Sequence, residues 1–205
     1  MNSTPMAADD PTLLTFPDAS AFETWLVEQP PEAPGVWLRF ARQGAPEVTI
    51  SKSDAVDSAL AHGWIDGQLG SVDRYFFKTR FTPRRPKSAW SQMNRERVEK
   101  LTEAGRMKER GLAEVARAKT DGRWAAAYAP QAKAAPDDDL LAALDQHPGA
   151  RAFFETLDSA NRYAVLYRVH QARTPERRAA KIAAIAAMLS RGETFHPRHR
   201  VSRRT

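Results

Sequence analysis

Residues 63–94 read GWIDGQLGSVDRYFFKTRFTPRRPKSAWSQMN, and the fold turns on how this stretch is parsed. WIDGQLG and RYFFKTRF read as two strands of a β-ribbon, with turn chemistry in GQLGSVD between them. In the second strand Tyr75, Phe77 and Thr79 alternate with Arg74, Phe76, Lys78 and Arg80. One face therefore carries most of the cations while the other packs. TPRRPKS then reads as a proline-restricted, exposed loop, because prolines interrupt regular ladder pairing. It leads into a helix from about Ser91 to Ala104 that ends at Gly105, with Trp90, Asn94, Val98 and Leu101 along one face.

Upstream, FPDASAFETWLVEQ predicts a helix capped by Asp18 or Ser20, with Phe22, Trp25 and Leu26 as its apolar stripe. PPEAPG ends it. VWLRFAR (36–42) predicts a strand with Val36, Leu38 and Phe40 on one face, and VTI (48–50) a second brief strand. SKSDAVDSALAHG predicts a helix with a capping box from Ser51 to Asp54 and a left-handed stop at Gly63. Downstream, GLAEVARAK predicts another helix that stops at TDG. After the linker signal QAKAAPDDD, helices are expected at 138–146, 148–156, 159–172 and 175–191. Asp137, Ser159 and Thr174 are the expected caps, Pro148 and Pro175 sit at first-turn positions, and Gly192 ends the run. The fold class is thus α+β: a small antiparallel sheet packed by helices, followed by an all-helical C-terminal subdomain. The expected boundaries are a disordered leader at 1–11, the α+β body at 12–129, the helical subdomain at 130–194 and a basic tail at 195–205.

The 205-residue chain is 42% hydrophobic and 27% charged, enough apolar content to bury a core. It has no cysteine, which excludes disulfides, thiolate metal sites and cysteine nucleophiles. The five histidines lack H-E-x-x-H spacing, so no metal is expected. The N-terminus lacks the basic and apolar regions of a signal peptide, and no apolar run is long enough to span a bilayer, so a cytoplasmic location is expected. Neither a G-x-x-x-x-G-K-[ST] loop nor a G-x-G-x-x-G motif is present, and no cofactor is expected.

The formal net charge of +6 is unevenly placed. Residues 74–97 carry net +7 and the tail from Phe195 net +4, which leaves the rest acidic at −5. Such a patch attracts anionic partners: phosphate groups, acidic small molecules or nucleic acid. Guanidinium forks suit oxyanions, and Pro83 and Pro86 stiffen the loop that carries them. Arg80, Arg84, Lys87, Ser88, Ser91 and Asn94 are therefore the candidate anion seat. In it the arginines stand beside the open N-terminus of the following helix. Trp64, Asp66 and Trp90 are supporting candidates, with Asp66 expected to pair with a cation of the ribbon or the loop. The blander reading of SAWSQMN is a capping serine, Ser88 or Ser91, with Trp90 packed beneath. No histidine or lysine is placed to activate either serine, so no catalytic residue is assigned. Asn161, Arg162, Tyr163, Tyr167, Arg168 and His170 read as a packing face of the helix 159–172.

Four motifs occur in a familiar order: AVDSALAHGWIDG, RFTPRRPKSAWSQMN, EAGRMKERGLAEV, and AFFETLDSANRYAVLYRVHQARTPERRAAKIAAIAAMLSRGE. In that order the chain resembles the YdeI/OmpD-associated family, whose bacterial members are also labelled bacteriocin-protection proteins. The resemblance runs over roughly residues 12–197, and the helical C-terminal portion looks like the named family domain. It implies a link to bacteriocin or envelope-stress tolerance and no established reaction. Together with the cations, it leads to the expectation of a non-enzymatic anion-binding protein. The alternatives are an enzyme acting on a phosphorylated or acidic small molecule, and a nucleic-acid-binding module. Oligomeric state is left open.

Overall fold

The computed structural model describes residues 13–130, 134–172 and 174–197. The leader expected over 1–11 and the tail from residue 198 lie outside the described residues. The chain divides into two units, Met1–Ala127 and Tyr128–Thr205, each with its own apolar core.

The ribbon is the centre of the first unit. Strand β3 (Trp64–Ser71) pairs antiparallel with β4 (Phe76–Pro83), and β4 pairs antiparallel with β2 (Val36–Ala41). A two-residue strand, β1 (Leu13–Leu14), runs parallel to β2 at the other edge, giving the order β1-β2-β4-β3. The sheet is therefore mixed where an antiparallel one was expected, since two apolar residues next to the leader give no strand signal of their own. The strand expected at 48–50 does not form. Ala41 N–H donates to Thr49 Oγ1 and Ile50 N–H to Phe16 O, so a side-chain hydroxyl takes the place of a ladder. Val48 stays 85% exposed.

The hairpin turn also lies later than expected. Gly67, Gln68 and Gly70 belong to β3, where an extra residue between Asp66 and Leu69 makes a bulge. The chain reverses at 72–75, where Asp73 Oδ1 accepts from the N–H groups of Tyr75 and Phe76 at 2.7 and 2.8 Å. An Asx side chain, Asp73 at the end of the GQLGSVD stretch, makes the turn.

Period-two alternation sorts the sheet as the sequence implies. Val36, Leu38 and Phe40 of β2 and Thr79 and Phe81 of β4 are buried. Their neighbours Lys78 and Arg39 lie over aromatic rings, Lys78 over Trp37 at 4.7 Å and Arg39 over Phe76 at 4.3 Å. Helix α1 (Ala19–Glu28) adds Phe22 and Leu26 to the core, with Asp18 as the N-cap. Helix α2 (Lys52–Ala61) adds Val56, Ala59 and Leu60. Ser51 caps it, with the Ser51 hydroxyl donating in turn to Asp54 at 2.7 Å. Helix α3 (Gln92–Glu103) contributes Val98 and Leu101, and helix α4 (Glu109–Thr120) contributes Val115 and Ala118. Trp90 and Trp124 meet edge-on at 4.8 Å beside them.

One packing contact sets the position of α4. A Cβ at Gly111 would stand 2.2 Å from Ala61 O, so the helix approaches the end of α2 as closely as a bare backbone permits. Lys108 N–H donates to the same carbonyl, satisfying one of the acceptors left open at the end of α2.

The second unit is helical throughout its described elements. These are α5 (Asp138–Asp145), α6 (Ala150–Glu155), α7 (Ser159–His170) and α8 (Pro175–Ser190). Leu140, Leu144, Phe154, Val165, Ile185 and Leu189 form the heart of its core. Thr174 caps α8 as expected, but Asp158 rather than Ser159 caps α7. Asp137 makes no capping bond and instead joins Asp139 in holding Arg178, each at 2.6 Å. Arg178 holds the Asp139 carboxyl below its ordinary pKa. Pro148 lies ahead of α6, which starts only after Gly149 in a left-handed conformation.

Candidate functional site

A cleft of about 610 Å³ opens in the first unit where α2 hands over to β3. His62, Gly63 and Trp64 form the hinge on one side. Arg84 and Arg85 come from the segment after β4, and Arg110, Glu114 and Arg117 from α4. The connection between α1 and β2, residues 31–34, completes the rim.

The loop's prolines are compatible with this wall. Trp64 is paired with Pro83, and the next hydrogen bond runs from Arg84 N–H to Gly63 O at 2.9 Å. Pro83 thus falls at a non-hydrogen-bonded position of the ladder, where a missing N–H costs nothing. Pairing continues past the proline. Arg84 is therefore not on an exposed loop: it is 5% exposed, its guanidinium lies 3.5 Å from the centre of the Trp90 ring, and it donates to Ala89 O.

On α4, Arg110, Glu114 and Arg117 recur at i, i+4 and i+7, so one helical face presents all three. Arg110 Nη1 donates to Gln29 O at 2.7 Å, which ties the helix to the end of α1. Arg117 pairs with Glu114 Oε1. The lining holds four arginines against Glu32 and Glu114, a cationic balance. His62 is 4% exposed, and burial pushes its imidazole below the ordinary value. Glu23 opposes that shift, while Lys108 and Arg110 reinforce it. The ring is thus neutral near pH 7.

Of the candidates read from the sequence, the cleft gathers Trp64 and Arg84. The others stand elsewhere. Arg80 Nη2 donates to Pro34 O at 3.0 Å. Ser91 is the N-cap of α3, its Oγ accepting from Asn94 N–H at 3.1 Å. Ser88 Oγ accepts from Arg85 N–H, and Ser88 O accepts from the buried Arg123. Lys87 is exposed, and Trp90 lies buried beneath Arg84. The expected seat at the start of α3 thus has one of its first-turn N–H groups, that of Asn94, already engaged by a serine. Asp66 pairs with Lys52 at 3.6 Å and not with a cation of the ribbon or the loop. Register explains this. Asp66 stands opposite Phe81 and shares its helix-covered side, whereas Lys78 and Arg80 point to the other. His62, Arg110, Glu114 and Arg117 were missed. The available signal was Gly111 within a helical pattern, a mark of close helix packing that brings the polar face of α4 to the end of α2.

In the second unit Tyr163 and Tyr167 line a shallow groove with Arg168 and His196. Burial and the neighbouring Tyr128 and Tyr167 push Tyr163 up to about 12. Asn161 is buried, joined to Asp158 and to the backbone of His196, which is a structural role. Among the described residues no group of three or more His, Asp or Glu is placed to hold a metal ion, and no helix is long and apolar enough to cross a membrane.

Two family models match the chain. Residues 14–114 match one described as Domain of unknown function (DUF8412), and residues 133–192 match one described as Bacteriocin-protection, YdeI or OmpD-Associated. No curated protein and no solved structure matches the chain. The named family is therefore narrower on this chain than the span of 12–197 over which the motifs run, because the sheet-containing unit has a model of its own. The stretch from 133 to 192 that matches the bacteriocin-protection, YdeI or OmpD-associated model spans the four helices of the second unit.

Proposed function

We propose that this chain is a non-enzymatic binder of small anions, and that the arginine-rimmed cleft of its first unit is the binding site. The observation that carries the reading is the convergence of Arg84, Arg85, Arg110 and Arg117 on one cleft, beside a histidine that burial keeps neutral. An entering phosphate or sulfate meets guanidinium groups on two walls: Arg85 is exposed, and Arg117, also exposed, turns toward it from its pairing with Glu114. Hydrogen bonds to charged groups contribute about 1.5–3 kcal/mol each. Two of them place the affinity for a bare dianion at about the millimolar level, and salt weakens it.

Two features favour this reading over its rivals. Ser88 and Ser91 are engaged with backbone N–H groups, which supports binding over nucleophilic catalysis. On the sheet, Lys78 and Arg39 already cover Trp37 and Phe76, the ring faces that unstacked bases would need. The family description attached to the second unit suggests tolerance of bacteriocins as the setting in which such binding acts.

The test is a titration of inorganic phosphate, sulfate and a short oligonucleotide into the wild type and Arg85→Ala/Arg117→Ala at two salt concentrations. The expected result is salt-sensitive phosphate binding that weakens at least tenfold in the double variant. Equal binding by both proteins, or a strong preference for the oligonucleotide, overturns the reading.

A further inference from the structure

The walls of this cleft hold polar atoms that no described residue satisfies. His62 Nε2, Trp64 Nε1 and Glu114 Oε2 are each buried without a hydrogen-bond partner, and all three residues line the cleft. They come from three segments: the end of α2, the start of β3 and the middle of α4. Their relative placement is tight. A Cβ at Gly63 would lie 3.0 Å from Arg110 O and 3.3 Å from Glu114 Cγ, so the hinge and the helix are in direct contact. A buried polar group left without a partner is destabilising, and three around one cleft mark a place that a polar ligand completes.

The chemistry of the three atoms narrows the ligand. The indole N–H only donates, the carboxylate oxygen only accepts, and a neutral imidazole nitrogen does one or the other. A bare oxyanion satisfies the arginines but offers Glu114 no proton and is repelled by it. An ammonium group suits Glu114 but meets four arginines. A hydroxyl both donates and accepts, so adjacent hydroxyls serve the indole, the carboxylate and the imidazole at once. The volume of about 610 Å³ also exceeds what a lone phosphate fills and lies within the range of small-molecule sites.

We propose that the cleft's ligand is a phosphorylated polyol, its phosphate held by the arginines and its hydroxyls by His62, Trp64 and Glu114. This rests on the anion-binding reading above and adds the hydroxylated part. His62 and Glu114 then set specificity, and the arginines set affinity.

The test compares glycerol 3-phosphate, n-propyl phosphate and inorganic phosphate by calorimetry. In the wild type glycerol 3-phosphate binds at least tenfold more tightly than n-propyl phosphate. In Glu114→Gln the gap narrows severalfold while inorganic phosphate binds at least as well as before, because a repelling carboxylate is gone. His62→Phe narrows the gap in the same way, and the milder Glu114→Gln keeps the test decisive if the histidine variant fails to fold. Equal binding of the two organic phosphates by the wild type, with inorganic phosphate bound, overturns the polyol inference and leaves the anion reading standing. No binding of any of the three overturns both.

Discussion

His62 sits where two demands conflict. Its place at the end of α2 buries it, and burial disfavours the imidazolium. The folded-state pKa is lowered, so as pH falls below about 6.5 the unfolded chain takes up this proton before the folded one does. Stability contributed by a neutral His62 is therefore present above the unfolded value and lost as pH falls through it. Urea unfolding between pH 7.5 and 5 should show that decline in the wild type, and His62→Gln should flatten it. An unchanged slope in the variant would assign the decline to other groups. Gly111 is a second residue with a sharp expectation. With Ala61 O only 2.2 Å from the place of an added Cβ, and that oxygen on backbone, Gly111→Ala forces α4 away from α2. A loss of about 1–3 kcal/mol or more is expected in denaturant unfolding, since overpacking at a rigid contact has no flexible side chain to yield. A neutral substitution would mean that the two helices are free to separate.

At the scale of elements, the start of α3 separates two readings of one serine. Ser91 accepts from Asn94 N–H, the arrangement of an N-cap. Ser91→Ala should cost about 1 kcal/mol of stability and leave phosphate affinity unchanged. A clear loss of phosphate affinity with intact stability would restore the helix start as the anion seat. The same region shows what local pattern does and does not carry. The helices α1, α2, α3 and α8 were legible because caps and apolar stripes are set by neighbours three or four residues away, as with Ser51 and Asp54 or Ile182 and Ile185. The segment at 48–50, which joins no ladder, was misread as a strand because Val and Ile there look like any short strand. What decides is Thr49 reaching Ala41, a contact eight residues apart. Asp66 was assigned the wrong partner for the same reason: its face is fixed by the bulge and by its opposition to Phe81, which composition does not reveal. The cleft was half legible. Trp64 and Arg84 stood in the opening stretch, whereas Arg110, Glu114 and Arg117 arrive from α4 through packing against α2.

At the scale of the whole molecule, the chain carries two cores and two family matches, one for each unit. All five tryptophans lie in the first unit, so their fluorescence reports that unit alone, while far-UV circular dichroism reports both. Leu144 is fully buried in the second core. Leu144→Ala should destabilise that unit by about 2–5 kcal/mol. Its circular dichroism transition should move to lower denaturant while the tryptophan transition stays in place. Coincident shifts of both signals would mean that the two units unfold as one. In the first unit, the proposed site for anions is the cleft and not the start of α3. The most direct measurement is a backbone amide NMR titration with inorganic phosphate at low salt. The cleft account predicts saturable shifts at Gly63, Trp64, Arg84, Arg85, Ala113 and Glu114, with Ser91–Asn94 unmoved. Shifts confined to residues 88–94, or none that saturate, would contradict it.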